Sequence, residues 1–130
     1  MKRVYDFLKE AGTYYLATVE GDVPHVRPFG TILMYENRLY IQTGRSKAVS
    51  RQIAQDPHVE ICAFKDGKWL RVAASLKEDE RIEVQQAMLD DYPSLKAMYA
   101  PGDGNTQVFY LTDAVATFSS FTEAPVTVEF

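Results

Sequence analysis

The chain of 130 residues has one cysteine, two histidines and no surplus of basic residues. A lone Cys62 excludes an internal disulfide and suits a reducing compartment. It stands in the apolar run VEICAF, where a buried, inert thiol is expected. One cysteine and the distant His25 and His58 do not make a ligand set, so no metal site is expected. With 14 Lys+Arg against 18 Asp+Glu the net charge is -4, which argues against non-specific binding to nucleic acid or to an acidic membrane surface. No apolar run reaches membrane-spanning length. The opening MKRVYDFLKEAG has a basic start, but Asp6, Lys9 and Glu10 interrupt any signal-peptide core, so a cytoplasmic protein is expected. Internal repeats, low-complexity stretches and linkers are also missing, and residues 1–130 read as one domain.

What the chain does have is an ordinary apolar content, 46%, arranged in short periodic segments. Val4, Phe7, Leu8 and Ala11 lie at helical spacing before Gly12, which predicts a helix over 2–11. TYYLATVE alternates as a strand, and EGDVP supplies a turn. VPHVRPFGTILMY is expected to be one long strand, broken or bent around Pro28 and Gly30. Proline removes a ladder donor and glycine permits close backbone approach, so RPFG marks an edge, a bulge or a ligand contact. After the turn ENR comes the strand LYIQT. A helix is predicted from Ser46 to about Gln55, closed by Asp56-Pro57. HVEICAF and KWLRVAASL form a hairpin around KDG. EDERIEVQQAMLDDY is predicted helical, with Glu78, Asp79, Glu80 and Glu83 on a solvated face, and SLKAMYA as a further helical turn. The tyrosines, among them Tyr14, Tyr40, Tyr92 and Tyr99, are expected at core edges. QVFYLTDAVATFSSF reads as a final long strand or hairpin, followed by an alternating tail. Strands joined by short turns argue for antiparallel pairing, and a mainly β (α+β), small, partly open barrel with helices packed outside fits this order.

One window stands apart. Between Asn37 and Gln55 there are four cations, Arg38, Arg45, Lys47 and Arg51, and no carboxylate. Ser46 is a good helix N-cap, yet Val49 stands where a capping box needs Glu or Gln. Arg45 and Lys47 flank that cap and repel the positive end of the helix dipole. An anion at the helix terminus relieves the repulsion, and Thr43 and Gly44 add a hydroxyl and an approachable backbone, so a phosphate monoester is the natural guest. The same residues also read as exposed cations on a solvated turn. TGRSK is not a Walker A loop, which leaves a nucleoside triphosphatase unsupported.

Taken in order, RPFG on the second strand, TGRSK after the third and KWLRV on the fifth resemble the pyridoxamine 5′-phosphate oxidase-like FMN-binding split-barrel family. The resemblance implies an antiparallel split β-barrel with peripheral helices and a homodimer holding FMN at its interface. It implies that Arg27 and the Pro28-Phe29-Gly30 backbone face the flavin or its phosphate, and that Gln42 and Thr43 lie along the ribityl chain and ring edge. Ser46 and Lys47 would hold the phosphate, and Trp69 and Arg71 would reach the cofactor from the partner subunit. Trp69 reads equally as a core or interface aromatic. The chain ends in SSFTEAPVTVEF and lacks the Arg-x-His stretch with which true pyridoxamine phosphate oxidases grip substrate, so that activity is doubtful here. The implied function is an oxidoreductase passing electrons from NAD(P)H through FMN to a small acceptor, with no particular residue identified as catalytic. The alternative is a non-catalytic flavin, deazaflavin or haem binder of the same fold, a redox or stress sensor. His25 shares a strand face with Arg27 by alternation. An oligonucleotide-binding barrel would need a long basic groove, which one local cluster in an acidic chain does not supply.

Overall fold

The computed structural model describes residues 1–130 and is built around one eight-stranded antiparallel sheet. Its elements are α1 (Lys2–Ala11), β1 (Tyr14–Glu20), β2 (Val23–Phe29), β3 (Leu33–Tyr35), β4 (Arg38–Gly44), α2 (Ala48–Gln55), β5 (His58–Lys65), β6 (Lys68–Asp79), α3 (Ile82–Asp91), a 3-10 turn (Pro93–Ala97), β7 (Thr106–Ser120) and β8 (Val126–Glu129). Strand order is β2-β1-β5-β6-β7-β4-β3, with β8 added to β7. The two end strands, β2 and β3, are neighbours in sequence but do not pair. The barrel is therefore split between them, and Gly30-Thr31-Ile32 crosses from one edge to the other. The expected single strand over VPHVRPFGTILMY is thus two strands on opposite edges. Pro24 and Pro28 sit on the edge strand, the position where a missing N–H costs least.

β7 joins the halves of the barrel. Along one side it pairs with β6 for nearly its whole length. On the other it pairs first with β4, through Thr106–Tyr110, and then with β8, through Val115–Phe118. The change of partner falls at Asp113, whose φ of 50° bends the strand, beside the register shift between Ala73 and Ser75. The inward positions of the strands (Leu16, Ile41, Ile61, Leu70, Val72, Ala116) fill the barrel, where α1 adds Val4 and Leu8 and α2 adds Val49 and Ile53. α3 lies on the outside, packing Val84 and Met88 against Tyr40 and Val108.

Two expectations about surfaces are corrected. Glu78 and Asp79 belong to β6, not to a helix, because the ladder with Phe109 and Val108 carries the strand three residues past Leu76. Asp79 is buried and accepts from the Tyr40 hydroxyl at 2.8 Å and from Arg81 Nη2 at 2.9 Å. The Arg81 guanidinium beside it, with the Tyr40 hydroxyl, holds its carboxyl down at about 2. Cys62, expected to be buried, is exposed. Alternation along β5 turns Val59, Ile61 and Ala63 inward and leaves Glu60, Cys62 and Phe64 on the outer face.

Candidate functional site

Three elements and one crossing converge on a cleft of about 320 Å³. The end of β2 and the crossing supply Arg27, Pro28, Phe29, Gly30 and Thr31; β4 supplies Gln42 and Thr43; Lys47 and Val49 come from the start of α2. The fourth side is the segment after α3, with Tyr92, Ser94, Leu95, Met98 and Tyr99. The lining holds two cations and no carboxylate. A smaller hollow of about 250 Å³ between α1 and the β7–β8 hairpin is lined by Asp6, Glu10 and Glu123 against Arg3 and Lys68, a balance that suits no anion.

The floor of the cleft is held from three directions. The Tyr14 hydroxyl donates to Thr31 O at 2.6 Å, and the Gln42 amide donates to Thr31 Oγ1 at 3.0 Å. Tyr92 Oη accepts from the Ile32 amide at 3.1 Å and from Lys9 Nζ at 2.9 Å. Full burial pushes the Tyr14 phenol far above its ordinary range, so it stays a neutral donor. Thr31 O, Ile32 N and Ile32 O of the crossing are thereby occupied.

The two cations differ from the rest of their neighbourhood. Arg45 is paired with Glu78 at 3.0 Å, Arg51 with Glu20 at 3.0 Å, and Arg38 lies over the Tyr110 ring at 4.2 Å. Lys47 has no ion-pair partner in the chain. Arg27 donates only to neutral oxygens, Leu16 O at 3.1 Å, Thr18 Oγ1 at 2.8 Å and Gln52 Oε1 at 2.5 Å. Burial pushes its guanidinium down from the ordinary value, and no carboxylate offsets that cost. α2 has no side-chain cap, so the amides at its start find no side-chain acceptor, and its N-cap is Lys47 itself.

The N-cap itself is not Ser46. A turn closed by Lys47 N–H donating to Gly44 O carries the chain one residue further, Lys47 is the N-cap, and α2 starts at Ala48. The Ser46 amide donates instead to Asn105 Oδ1 at 3.0 Å, and Arg45 N donates to Asn105 O at 2.7 Å. Ser46 is exposed and does not line the cleft. Of the ten residues singled out in the sequence, Arg27, Pro28, Phe29, Gly30, Gln42, Thr43 and Lys47 meet around the cleft. Trp69 and Arg71 lie elsewhere, on the outer face of β6, with Trp69 5.1 Å from the Phe121 ring and Arg71 paired to Glu60. His25 and His58 do not line the cleft either. His25 Nε2 faces Glu20 at 3.2 Å, and His58 Nδ1 faces Asp56 at 2.7 Å.

Sequence reasoning missed the segment 92–99 and Asn105. SLKAMYA showed only a helical turn, since its role depends on where α3 delivers it. Asn105 had a local signal in DGNT. Asp103 accepts from the amides of Ala100, Asn105 and Thr106, which hold its carboxyl down at about 2 and fold the loop onto Arg45 and Ser46.

The family model described as pyridoxamine 5′-phosphate oxidase matches residues 1–112. No functionally curated protein matches the chain. Among solved structures, a nimc/nima family protein from Clostridium acetobutylicum is 42% identical, with a TM-score of 0.96 over 100% of this chain and 92% of that one. General Stress Protein 26 from Bacillus anthracis is 19% identical, TM-score 0.78, over 99% and 97%. A heme binding protein from Mycobacterium smegmatis is 15% identical, TM-score 0.73, over 94% of this chain and 57% of that one. The last two show the fold alone. The family match spans most of the chain, and the split barrel agrees with it: the chain belongs to the pyridoxamine 5′-phosphate oxidase family.

Proposed function

We propose that the protein is an FMN-binding flavoprotein, a homodimeric oxidoreductase that passes electrons from NAD(P)H to a small acceptor such as a quinone, a nitro compound or oxygen. The observation that carries this reading is the pairing of Arg27 and Lys47. Both line one cleft, both lack a carboxylate, and an uncapped helix terminus lies beside them. In a chain with four more acids than bases (18 against 14), two unpaired cations on one cleft suit a phosphate monoester. The donor set fits FMN. Lys47 and the α2 amides would hold the phosphate, Arg27 would balance its charge, and Gln42, Thr43 and the Phe29-Gly30 backbone would border the ribityl chain and ring.

When bound, FMN supplies the two-electron redox chemistry between hydride donor and acceptor. The chain contributes position and field. Thr31 and Ile32 are fixed by Tyr14, Gln42 and Tyr92, so the crossing is held by the chain's own hydrogen bonds. Arg27 and Lys47 hold the anion. No lining residue is a histidine, cysteine or carboxylic acid, so proton delivery from the chain rests on the Lys47 ammonium, on tyrosine, serine and threonine hydroxyls or on solvent. Haem suits this cleft less well, because both histidines are turned to carboxylates outside it.

The dimer is supported by a largely apolar outer face crossed by the Arg71–Glu60 ion pair. Directly opposed residues form two rungs across β2, β1, β5, β6 and β7: Pro28–Tyr15–Cys62–Arg71–Thr117, and Val26–Ala17–Glu60–Ala73–Val115. Tyr15, Val26 and Phe64 are 51%, 66% and 63% exposed there. A sheet face of this kind needs cover, and a second copy would also bring Trp69 and Arg71 toward the partner's cleft.

The test is a titration followed by flavin fluorescence, with FMN compared against riboflavin, which lacks the phosphate. FMN binding at least about tenfold tighter supports the anion site. Equal binding of both, or of neither, removes it. NAD(P)H oxidation with an added acceptor then separates an oxidoreductase from a flavin binder that does not turn over.

A further inference from the structure

The cleft has two unlike ends. Arg27, Lys47 and the α2 terminus make one end cationic. The other end is the segment 92–99, whose lining residues are Tyr92, Ser94, Leu95, Met98 and Tyr99. Lys96 is the segment's one charged residue, and it is turned away, donating to Asp90 at 2.8 Å. No residue lining this side is charged, and the nearest charges, Lys9 and Asp91 behind Tyr92, are paired with each other at 2.6 Å.

The segment is held at its ends rather than along its length. No residue of the 3-10 turn is buried. Tyr92 is fixed by its hydrogen bonds with Ile32 N, Ile32 O and Lys9. Tyr99 is only 8% exposed and packs against β4, its hydroxyl 3.0 Å from where a Cβ on Gly44 would stand. Between these anchors the Met98 amide donates to Leu95 O at 3.0 Å, and the Met98 side chain is 70% exposed on the rim of the cleft. A large thioether held open beside a binding cleft is a surface that adapts to an aromatic face. A charged guest would lose hydration against Leu95 and Met98 without gaining a counter-ion.

Resting on the flavin reading above, we infer that Leu95 and Met98 form the wall of a second-ligand subsite, and that it takes a neutral, flat ring. Ser94 and the tyrosines offer hydroxyls at its edge, so a carbonyl-bearing ring is recognised better than a hydrocarbon. An anionic ligand is drawn instead to Arg27 and Lys47, where the phosphate competes with it.

The experiment uses the full chain loaded with FMN and labelled at the methionine methyl groups. Four methyl signals are expected, from Met1, Met34, Met88 and Met98. Met98→Leu identifies the fourth. The probes are 2-methyl-1,4-naphthoquinone and 1,4-naphthoquinone-2-sulfonate, which share a ring and differ in charge. On titration the Met98 signal moves upfield with the neutral probe, while Met88, which is fully buried, does not move. Met98→Ala weakens the neutral probe by about fivefold or more. FMN affinity is read on the same samples by fluorescence. If the wild type takes up no FMN, the flavin reading fails before the subsite is tested. If FMN binds and the Met98 signal ignores the neutral probe, or follows the sulfonate equally well, the subsite is wrong. A Met98 signal that moves with FMN alone makes this segment a wall of the cofactor, which also overturns it.

Discussion

The proposed anion site depends most on Lys47, and Arg38 is its natural control. Both are cations of the same window, but Arg38 lies over Tyr110, away from the cleft. Lys47→Ala is expected to weaken FMN by about tenfold, and Arg38→Ala by less than about threefold, in a fluorescence titration. Equal effects would make the cluster an ordinary solvated turn. Asp79 gives a prediction on stability instead. Its folded-state value of about 2 lies below the ordinary 3.8. Its contribution is therefore complete above pH 4 and is lost as pH falls toward 2, a loss of order 2 kcal/mol. Urea unfolding of the wild type between pH 5 and 2 should show this slope, and Asp79→Asn should flatten it. Neither the depressed carboxyl nor the exposed thiol was legible in the sequence. The acids of EDERIE look alike until the β6 ladder claims Asp79. In VEICAF, apolar residues occupy both faces of one strand, so alternation cannot say which face is covered by the chain's own core.

Among elements, the crossing Gly30-Ile32 and the segment 92–99 are coupled through one hydroxyl. Tyr92→Phe removes the bonds to Ile32 N, Ile32 O and Lys9 and keeps the ring. It should destabilise the fold by about 1 kcal/mol and weaken FMN severalfold, because the floor of the cleft loses an anchor. Unaltered affinity in the same titration would mean that the crossing is held well enough by Tyr14 and Gln42. The two loops that build the cleft were legible because proline, glycine and a basic cluster announce themselves locally. The helix start was misplaced by two residues, since Lys47 N–H finds Gly44 O and the Ser46 amide is taken by Asn105, 59 positions away. The fourth wall was not legible at all. SLKAMYA carries no binding signature, and only the packing of α3 against Tyr40 and Val108 brings it to the site.

For the whole molecule, a small, partly open antiparallel barrel follows from short turns and alternating strands, while the split was implied by the family resemblance. Its pairing order could not be read, because β7 takes three partners in one strand and the change at Asp113 has no sequence mark stronger than an Asp. The outer face, apolar apart from the Arg71–Glu60 pair and Thr117, makes the oligomer testable through Cys62. If two copies meet on that face, the thiol should react slowly with a disulfide reagent at native concentration and quickly after dilution below the dimer dissociation constant. Fast reaction at every concentration, with a monomer in sedimentation, would contradict the dimer. The central claim, that the cleft between Arg27 and Lys47 is a flavin phosphate site, is tested most directly by a visible absorbance spectrum. It should be taken of the protein as purified and again after addition of FMN and desalting. A retained flavin spectrum, perturbed from that of free FMN, is the predicted result; a colourless protein after desalting would contradict it.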